Sequence, residues 1–277
     1  MPHDLARIRH FVLDLDGTLY RGNQLFPQTL PFLQQLRQLG LGYTFLTNNT
    51  SLSKADYVAK LGKLGIAASQ SEIYTPADST ITYLRQQLPQ VTAIAVLGTP
   101  SLCQQFEEAS FRVSWDAPQA VIVGFDMTLT YERLCRAAWW ISQGLPFIAT
   151  HPDLVCPTDE PTVLIDCGSI TACLSAATGR QPLVLGKPDP AILLAVCSRH
   201  SIAPNELAMV GDRIYTDMAM AQRAGAMAVL VLSGEAAAAD AASMTMPPDL
   251  IVPHIGELGE LIQKPPIAGT KLGPGSL

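Results

Sequence analysis

Charge is scarce in this 277-residue sequence: Asp, Glu, Lys and Arg together make up 15%, and the formal net charge is −6. Such a chain offers no general attraction to nucleic acid or to anionic membrane surfaces. An anionic small molecule would need local positive charge at its site. Long apolar runs are also missing; nothing approaches the roughly 18 residues of a membrane-spanning helix. The six cysteines, at positions 103, 135, 156, 167, 173 and 197, include no Cys-x-x-Cys pair and no Cys/His cluster at zinc spacing. The N-terminal residues carry no secretory leader pattern, so reduced thiols and a cytoplasmic location are expected. The one low-complexity stretch, Glu235 to Asp240, reads as an ordinary helix start or loop. What is abundant is apolar side chain, 48% of the residues, enough for a sizeable core and against disorder.

The apolar segments alternate between strand and helix. Residues 10–15 read as a buried strand ending in the acidic turn Asp14-Leu15-Asp16-Gly17-Thr18. Pro27 opens a helix with Leu30, Leu33 and Leu36 on its apolar face and Gly40 at its end. A strand at 43–46 ends at Thr47-Asn48-Asn49. The next helix is capped by Ser51 or Ser53, carries Tyr57, Val58, Leu61 and Leu64 on one face, and closes at Gly65. The pattern resumes with a strand at 183–185, a helix at 189–199, a strand at 207–210, a helix at 216–224 and strands at 229–232 and 250–252. A helix at 255–262 ends the series. Such alternation indicates a parallel sheet with crossover helices. The middle of the chain reads as a second α/β unit, with strands at 93–97, 120–125 and 146–149, helices at 101–108, 131–142 and 169–177, and linkers at 75–79 and 179–184. The tail from Lys264, rich in Pro and Gly, is expected to fray.

Four polar groups follow strands of the outer unit: Asp14 with Asp16, Thr47 with Asn48, Lys187, and Asp212 with Asp217. In an open parallel sheet the carboxyl ends of the strands share the edge where ligands bind, so distant residues can meet there. Four clustered carboxylates repel one another; two unit charges 4 Å apart interact by about 4 kcal/mol at an effective dielectric of 20. Lys187 alone cannot offset them, whereas a divalent cation held by oxygen ligands can, and Mg²⁺ bridges carboxylates to phosphate oxygens. A carboxylate such as Asp14 can attack phosphorus, and a second, Asp16, can protonate the leaving oxygen and then activate water. Thr47 and nearby backbone N–H groups can hold a phosphate oxygen, and Lys187 can compensate charge on nucleophile and phosphoryl group. Each piece alone also reads as a turn or a helix cap; it is their ordered recurrence after strands that points to chemistry.

These motifs, Asp14-Leu15-Asp16-Gly17-Thr18, Thr47-Asn48-Asn49, Gly186-Lys187-Pro188 and Gly211-Asp212-Arg213 through Thr216-Asp217, resemble the four ordered motifs of the haloacid dehalogenase-like superfamily. The long insert resembles its C2-type cap. Ile148 to Asp153 and Gly168-Ser169-Ile170 resemble the 4-nitrophenylphosphatase-like branch. The resemblance implies a Rossmann-like parallel-sheet core (residues 1–77 and 184–265), an inserted α/β cap (78–183) and a flexible tail (266–277). It implies that Asp14 is the phosphorylated nucleophile and Asp16 the acid/base. Mg²⁺ would be held by Asp14, the Asp16 carbonyl and Asp212, with Asp217 in the metal's outer shell. Thr47 and Asn48 would grip the phosphoryl group, and Lys187 would fix the nucleophile. The expected activity is Mg²⁺-dependent phosphatase action on small phosphorylated metabolites. Phosphotransfer, phosphorus–nitrogen or pyrophosphate hydrolysis, and non-catalytic phosphometabolite binding stand as alternatives. Caps of this kind often support dimers, which makes a homodimer one expectation. In the cap the chain departs from the branch at Thr150-His151-Pro152-Asp153 and at Ile165 to Ser169, which leaves His151 open to a substrate contact or to a hinge or surface role. Trp139 and Trp140 read as cap core plus one partly exposed neighbour.

Overall fold

The computed structural model describes residues 4–156, 162–242 and 246–263. The chain begins with β1 (His10–Asp14), a small hairpin of β2 (Tyr20–Arg21) and β3 (Gln24–Leu25), α1 (Thr29–Gln38), β4 (Gly42–Leu46), α2 (Lys54–Lys63) and β5 (Ile73–Tyr74). It continues through α3 (Pro76–Gln87), β6 (Ala93–Leu97), α4 (Pro100–Glu108), β7 (Arg112–Val113), β8 (Ala120–Val123), α5 (Tyr131–Ser142) and β9 (Phe147–Ala149). A second hairpin, β10 (Val155–Cys156) and β11 (Leu164–Ile165), precedes α6 (Cys167–Thr178) and β12 (Leu183–Val184). The last elements are α7 (Ala191–His200), β13 (Leu207–Gly211), α8 (Ala219–Ala224), β14 (Met227–Val231), α9 (Ala238–Ala242), β15 (Leu250–Val252) and α10 (Ile255–Gln263).

Two parallel sheets organise these elements. The first has the order β15-β14-β13-β1-β4-β5, and the second β12-β9-β8-β6-β7. β1 is wholly buried because it has strands on both edges and helices on both faces, and its middle residues Phe11, Val12 and Leu13 are apolar without alternation. Its side chains still alternate: Phe11 and Leu13 pack into one core, Val12 into the other. β13 divides in the same way, with Ala208 and Val210 on the first side and Leu207 and Met209 on the second. The second sheet is likewise packed on both faces, through Ala120 and Ile122 on one and Val121 and Val123 on the other. This is a Rossmann-like core with an inserted α/β cap. No helix among the described residues is long and apolar enough to cross a membrane.

Several expectations are corrected. The strand at 183–185 joins the second sheet, not the first: Leu183 pairs with Ile148 and Val184 with Ala149. The segment 75–79 is not a linker but the start of α3. The Asp78 carboxylate accepts the Thr75 N–H at 2.8 Å and the Thr75 hydroxyl at 3.1 Å, and Pro76 takes the first turn, where its missing N–H costs nothing. On α1 the buried face is Thr29, Phe32, Leu33 and Leu36, while Leu30 is exposed. The helix expected at 216–224 begins earlier, as a π-helical turn over Ile214–Met218 that runs into α8. Trp140 is half-buried and donates its indole N–H to the Trp115 carbonyl at 3.3 Å, but Trp139 is exposed, so the cap core takes neither ring completely. The expected fraying from Lys264 and the tail at 266–277 lie outside the described residues.

Candidate active site

The first sheet changes winding direction at β1. The chain adds β4 on one side of β1 and later β13 on the other, and the carboxyl ends of these neighbours form a crevice. Asp14 is the last residue of β1, Thr47 follows β4, and Asp212 follows β13. Lys187 arrives from the second sheet, three residues past β12. Its ammonium donates to Asp14 Oδ1 at 2.5 Å and to Asp217 Oδ1 at 2.7 Å. Carboxylate oxygens of Asp14, Asp212 and Asp217 all lie within 4.8 Å of one another, and all three residues are buried. Asp217, expected in an outer shell, thus stands as close to the cluster as the other two.

Small residues let the acids approach. A Cβ at Gly17 or Gly234 would overlap the Asp212 carboxylate, and one at Gly211 would overlap that of Asp217. Gly17 also takes φ +85°, in the left-handed region that disfavours side chains, and so turns the chain sharply after β1. Asp16 lies just before that bend. Its side chain is exposed at the rim, with Oδ2 accepting the Gly22 N–H at 3.3 Å from the turn between β2 and β3.

Thr47 Oγ1 accepts the Asn49 N–H at 3.1 Å and lies 3.5 Å from the Tyr57 hydroxyl. Asn48 is tied to the opposite wall: its Oδ1 accepts the Lys187 N–H at 2.9 Å, and its Nδ2 donates to the Lys187 carbonyl at 3.3 Å. Expected from sequence and gathered here are therefore Asp14, Thr47, Asn48, Lys187, Asp212 and Asp217. His151 is neither a surface residue nor open to a ligand. It is fully buried, 3.5 Å from both Thr50 Oγ1 and Asp166 Oδ1, and burial pushes its pKa down to about 4.

Burial dominates the electrostatics. It pushes the Asp14 carboxyl up to about 8, against the pull of Lys187 and with help from Asp217 and Asp212. Burial and then Asp217 push Asp212 up to about 6. Burial also works against the Lys187 ammonium, but Asp14 and Asp217 outweigh it and hold the proton above its ordinary value. With one buried cation among three buried acids, the cluster lacks positive charge. Asp212 Oδ2 accepts the Glu235 N–H at 2.7 Å, while its Oδ1 is buried with no partner. An orphaned buried carboxylate oxygen beside two further hard oxygen donors fits a divalent cation such as Mg²⁺.

Sequence reasoning missed three contributors. Arg213 pairs through Nε with Glu235 at 2.9 Å and lies 3.7 Å from Asp153. Arg213 sits inside a motif already singled out, but nothing local marks Glu235 or Asp153 as its partners.

Known proteins carry the same plan. A haloacid dehalogenase-like hydrolase model matches residues 11–112, and a HAD-hydrolase-like model matches residues 184–258. Ribonucleotide monophosphatase NagD of Escherichia coli K12 is 31% identical over 251 residues, 91% of this chain and 98% of that protein. The crystal structure of 4-nitrophenylphosphatase from Thermotoga maritima superposes with a TM-score of 0.89 at 38% identity, covering 94% of this chain and 99% of that one. Glycerol phosphate phosphatase from Mycobacterium tuberculosis, solved in complex with magnesium, gives 0.86 at 31% identity, over 93% of this chain and 79% of that one. By sequence and by fold, the chain belongs to the haloacid dehalogenase-like hydrolase family.

Proposed function

We propose that this protein is a Mg²⁺-dependent phosphoric monoester hydrolase acting on small phosphorylated metabolites, with Asp14 as its nucleophile. The observation that carries the reading is the buried set of Asp14, Asp212 and Asp217 around Lys187 at the carboxyl edge of a parallel sheet. The named relatives are phosphatases of such compounds, which supports the same reaction class here. Asp14, Asp212 and the carbonyl of Asp16 would hold the ion, with Asp217 beside them. When bound, Mg²⁺ supplies the positive charge that lets Asp14 stay ionised beside a phosphate dianion.

Asp14 attacks phosphorus to give an aspartyl-phosphate, and the phosphorus–oxygen bond to the leaving group breaks. Asp16, outside the acidic cluster, gives its proton to the leaving oxygen. It then takes one from the water that opens the acyl phosphate and releases inorganic phosphate. Lys187 holds Asp14 in place and shares charge with the phosphoryl oxygens, while the Thr47 hydroxyl and the backbone N–H of Asn48 donate to those oxygens. The inserted unit at 78–183 serves as the cap that encloses the leaving group and excludes bulk water, with its boundary at 183–184 falling inside β12. The test is a phosphate-release screen of 4-nitrophenyl phosphate, sugar phosphates, nucleoside monophosphates and glycerol phosphate. Turnover is expected with Mg²⁺ and not with EDTA. Release at equal rates in EDTA, or none from any compound, would reject the assignment.

A further inference from the structure

The segment leaving β9 runs from the second sheet down onto the first sheet's site. Its Asp153 carboxylate, 16% exposed at the side chain, accepts the Asn48 amide at 3.3 Å on one oxygen and 3.4 Å on the other. Asp153 Oδ2 also lies 3.7 Å from Nη1 of Arg213. Arg213 pairs with Glu235, whose backbone N–H donates to Asp212. One run of contacts thus passes from Asn48 through Asp153, Arg213 and Glu235 to Asp212.

Asp153 is itself held firmly. Its carbonyl accepts the Gly168 N–H at 2.8 Å, in the first turn of α6. A Cβ at Gly168 would overlap the Pro152 carbonyl, so the two backbones are in close contact. A carboxylate this near an anion-binding crevice repels the anion, so its placement calls for a compensating role. The geometry supplies one. A carboxylate can only accept, so Asp153 forces Asn48 to present its Nδ2 side to the cap and its Oδ1 side to Lys187 N–H. It also gives Arg213 a second anionic partner across the crevice from Glu235.

We infer that Asp153 is a positioning residue, which anchors the Asn48 side chain across the seam between cap and core so that the turn carrying the Thr47 hydroxyl and the Asn48 N–H completes the phosphoryl grip only when segment 150–154 rests on the first sheet. This inference rests on the phosphatase reading above. It predicts a defect in phosphate affinity that acts through Asn48. The test is a double-mutant cycle of Asp153→Ala and Asn48→Ala in the full chain with Mg²⁺, with Asp153→Asn as the isosteric control. Inorganic phosphate affinity is read by calorimetry, and KM and kcat with 4-nitrophenyl phosphate.

Asp153→Ala is expected to weaken phosphate binding and raise KM by about tenfold with kcat within about threefold, the pattern of lost uniform binding. Asp153→Asn should fall between it and the unaltered protein, because one carbonyl oxygen still accepts from Asn48. In the Asn48→Ala background, Asp153→Ala should cost less than about twofold more. Additive losses, or a lowered thermal midpoint with phosphate affinity unchanged, would reduce Asp153 to a structural contact and overturn the inference. Absence of turnover in the unaltered protein would instead overturn the phosphatase reading, and the calorimetric cycle would still decide the role of Asp153.

Discussion

Removing divalent ions should make the protein lose stability as pH rises from 6.5 to 8.0. The cause is Asp14, buried beside Asp217 and Asp212, whose carboxyl is pushed up to about 8 in the metal-free fold. In the unfolded chain the same group titrates near 4. Between those values the folded state holds a proton that the unfolded state has lost. Stability is therefore greatest below pH 4 for this group and falls as pH climbs through 8. Each pKa unit corresponds to about 1.4 kcal/mol, so the Asp14 titration from pH 6.5 to 8.0 removes stability on the order of 1–2 kcal/mol. Asp212, at about 6, is largely ionised over this window and adds little. Asp166, pushed up to about 7 by burial, also removes stability over this window, and the buried histidines His10 and His151, both pushed down to about 4 by burial, offset it by a comparable amount as the unfolded imidazoles give up their protons. The assay is urea unfolding at the two pH values, in EDTA and in saturating Mg²⁺. EDTA samples should lose on the order of 1–2 kcal/mol between them. Mg²⁺ samples should not, because an ion that binds only the folded state displaces the proton and adds its own binding free energy. Asp14→Asn should abolish the EDTA effect. Equal or greater stability at pH 8.0 in EDTA would show that Asp14 is not protonated in the cluster, and the charge argument for a metal would fail with it.

Asp14→Asn should lower kcat by at least about a thousandfold while circular dichroism stays unchanged, since an amide cannot form the acyl phosphate; near-native phosphate release would defeat the mechanism. In single-turnover measurements of leaving-group release, Asp16→Ala should cost on the order of a hundredfold or more with an alkyl phosphate and far less with 4-nitrophenyl phosphate, whose leaving group needs no proton. An equal loss with both would remove Asp16 from the role of acid. Gly234→Ala places a methyl group against the Asp212 carboxylate. It should raise the Mg²⁺ concentration for half-maximal activity by about tenfold, and a titration matching the unaltered protein would show that Asp212 is free to shift.

Asp14, Thr47 and Asp212 were legible because each sits at or just beyond the end of a strand long and apolar enough to recognise: β1, β4 and β13 each have five residues, nearly all buried. Lys187 was placed in the site for a partly wrong reason. Its preceding strand has two residues, too few for any periodicity to say which sheet they join, and only the pairing with β9 decides it. Segment 75–79 reads as a linker in the sequence, yet Pro76 at the first helical position with Asp78 accepting the Thr75 N–H makes it the start of α3.

Contacts across the seam left no local trace. Asp153 and Asn48 are 105 residues apart, and no pattern within either segment foretells that an amide of one will meet a carboxylate of the other. The turn after β13 falls between these cases. An ordinary helix start was the natural reading of Asp217, yet the chain winds wider here, with the Met218 N–H reaching back to the Arg213 carbonyl at 3.2 Å. Single π turns of this kind occur often at functional sites. The wider turn carries the Asp217 carboxylate back against Gly211, where it meets Lys187 and the Arg213 N–H. Any side chain at 211 would occupy the space that this carboxylate fills. The glycine and the aspartate six residues later are therefore two halves of one steric requirement, and the turn between them is shaped by where the acid must go.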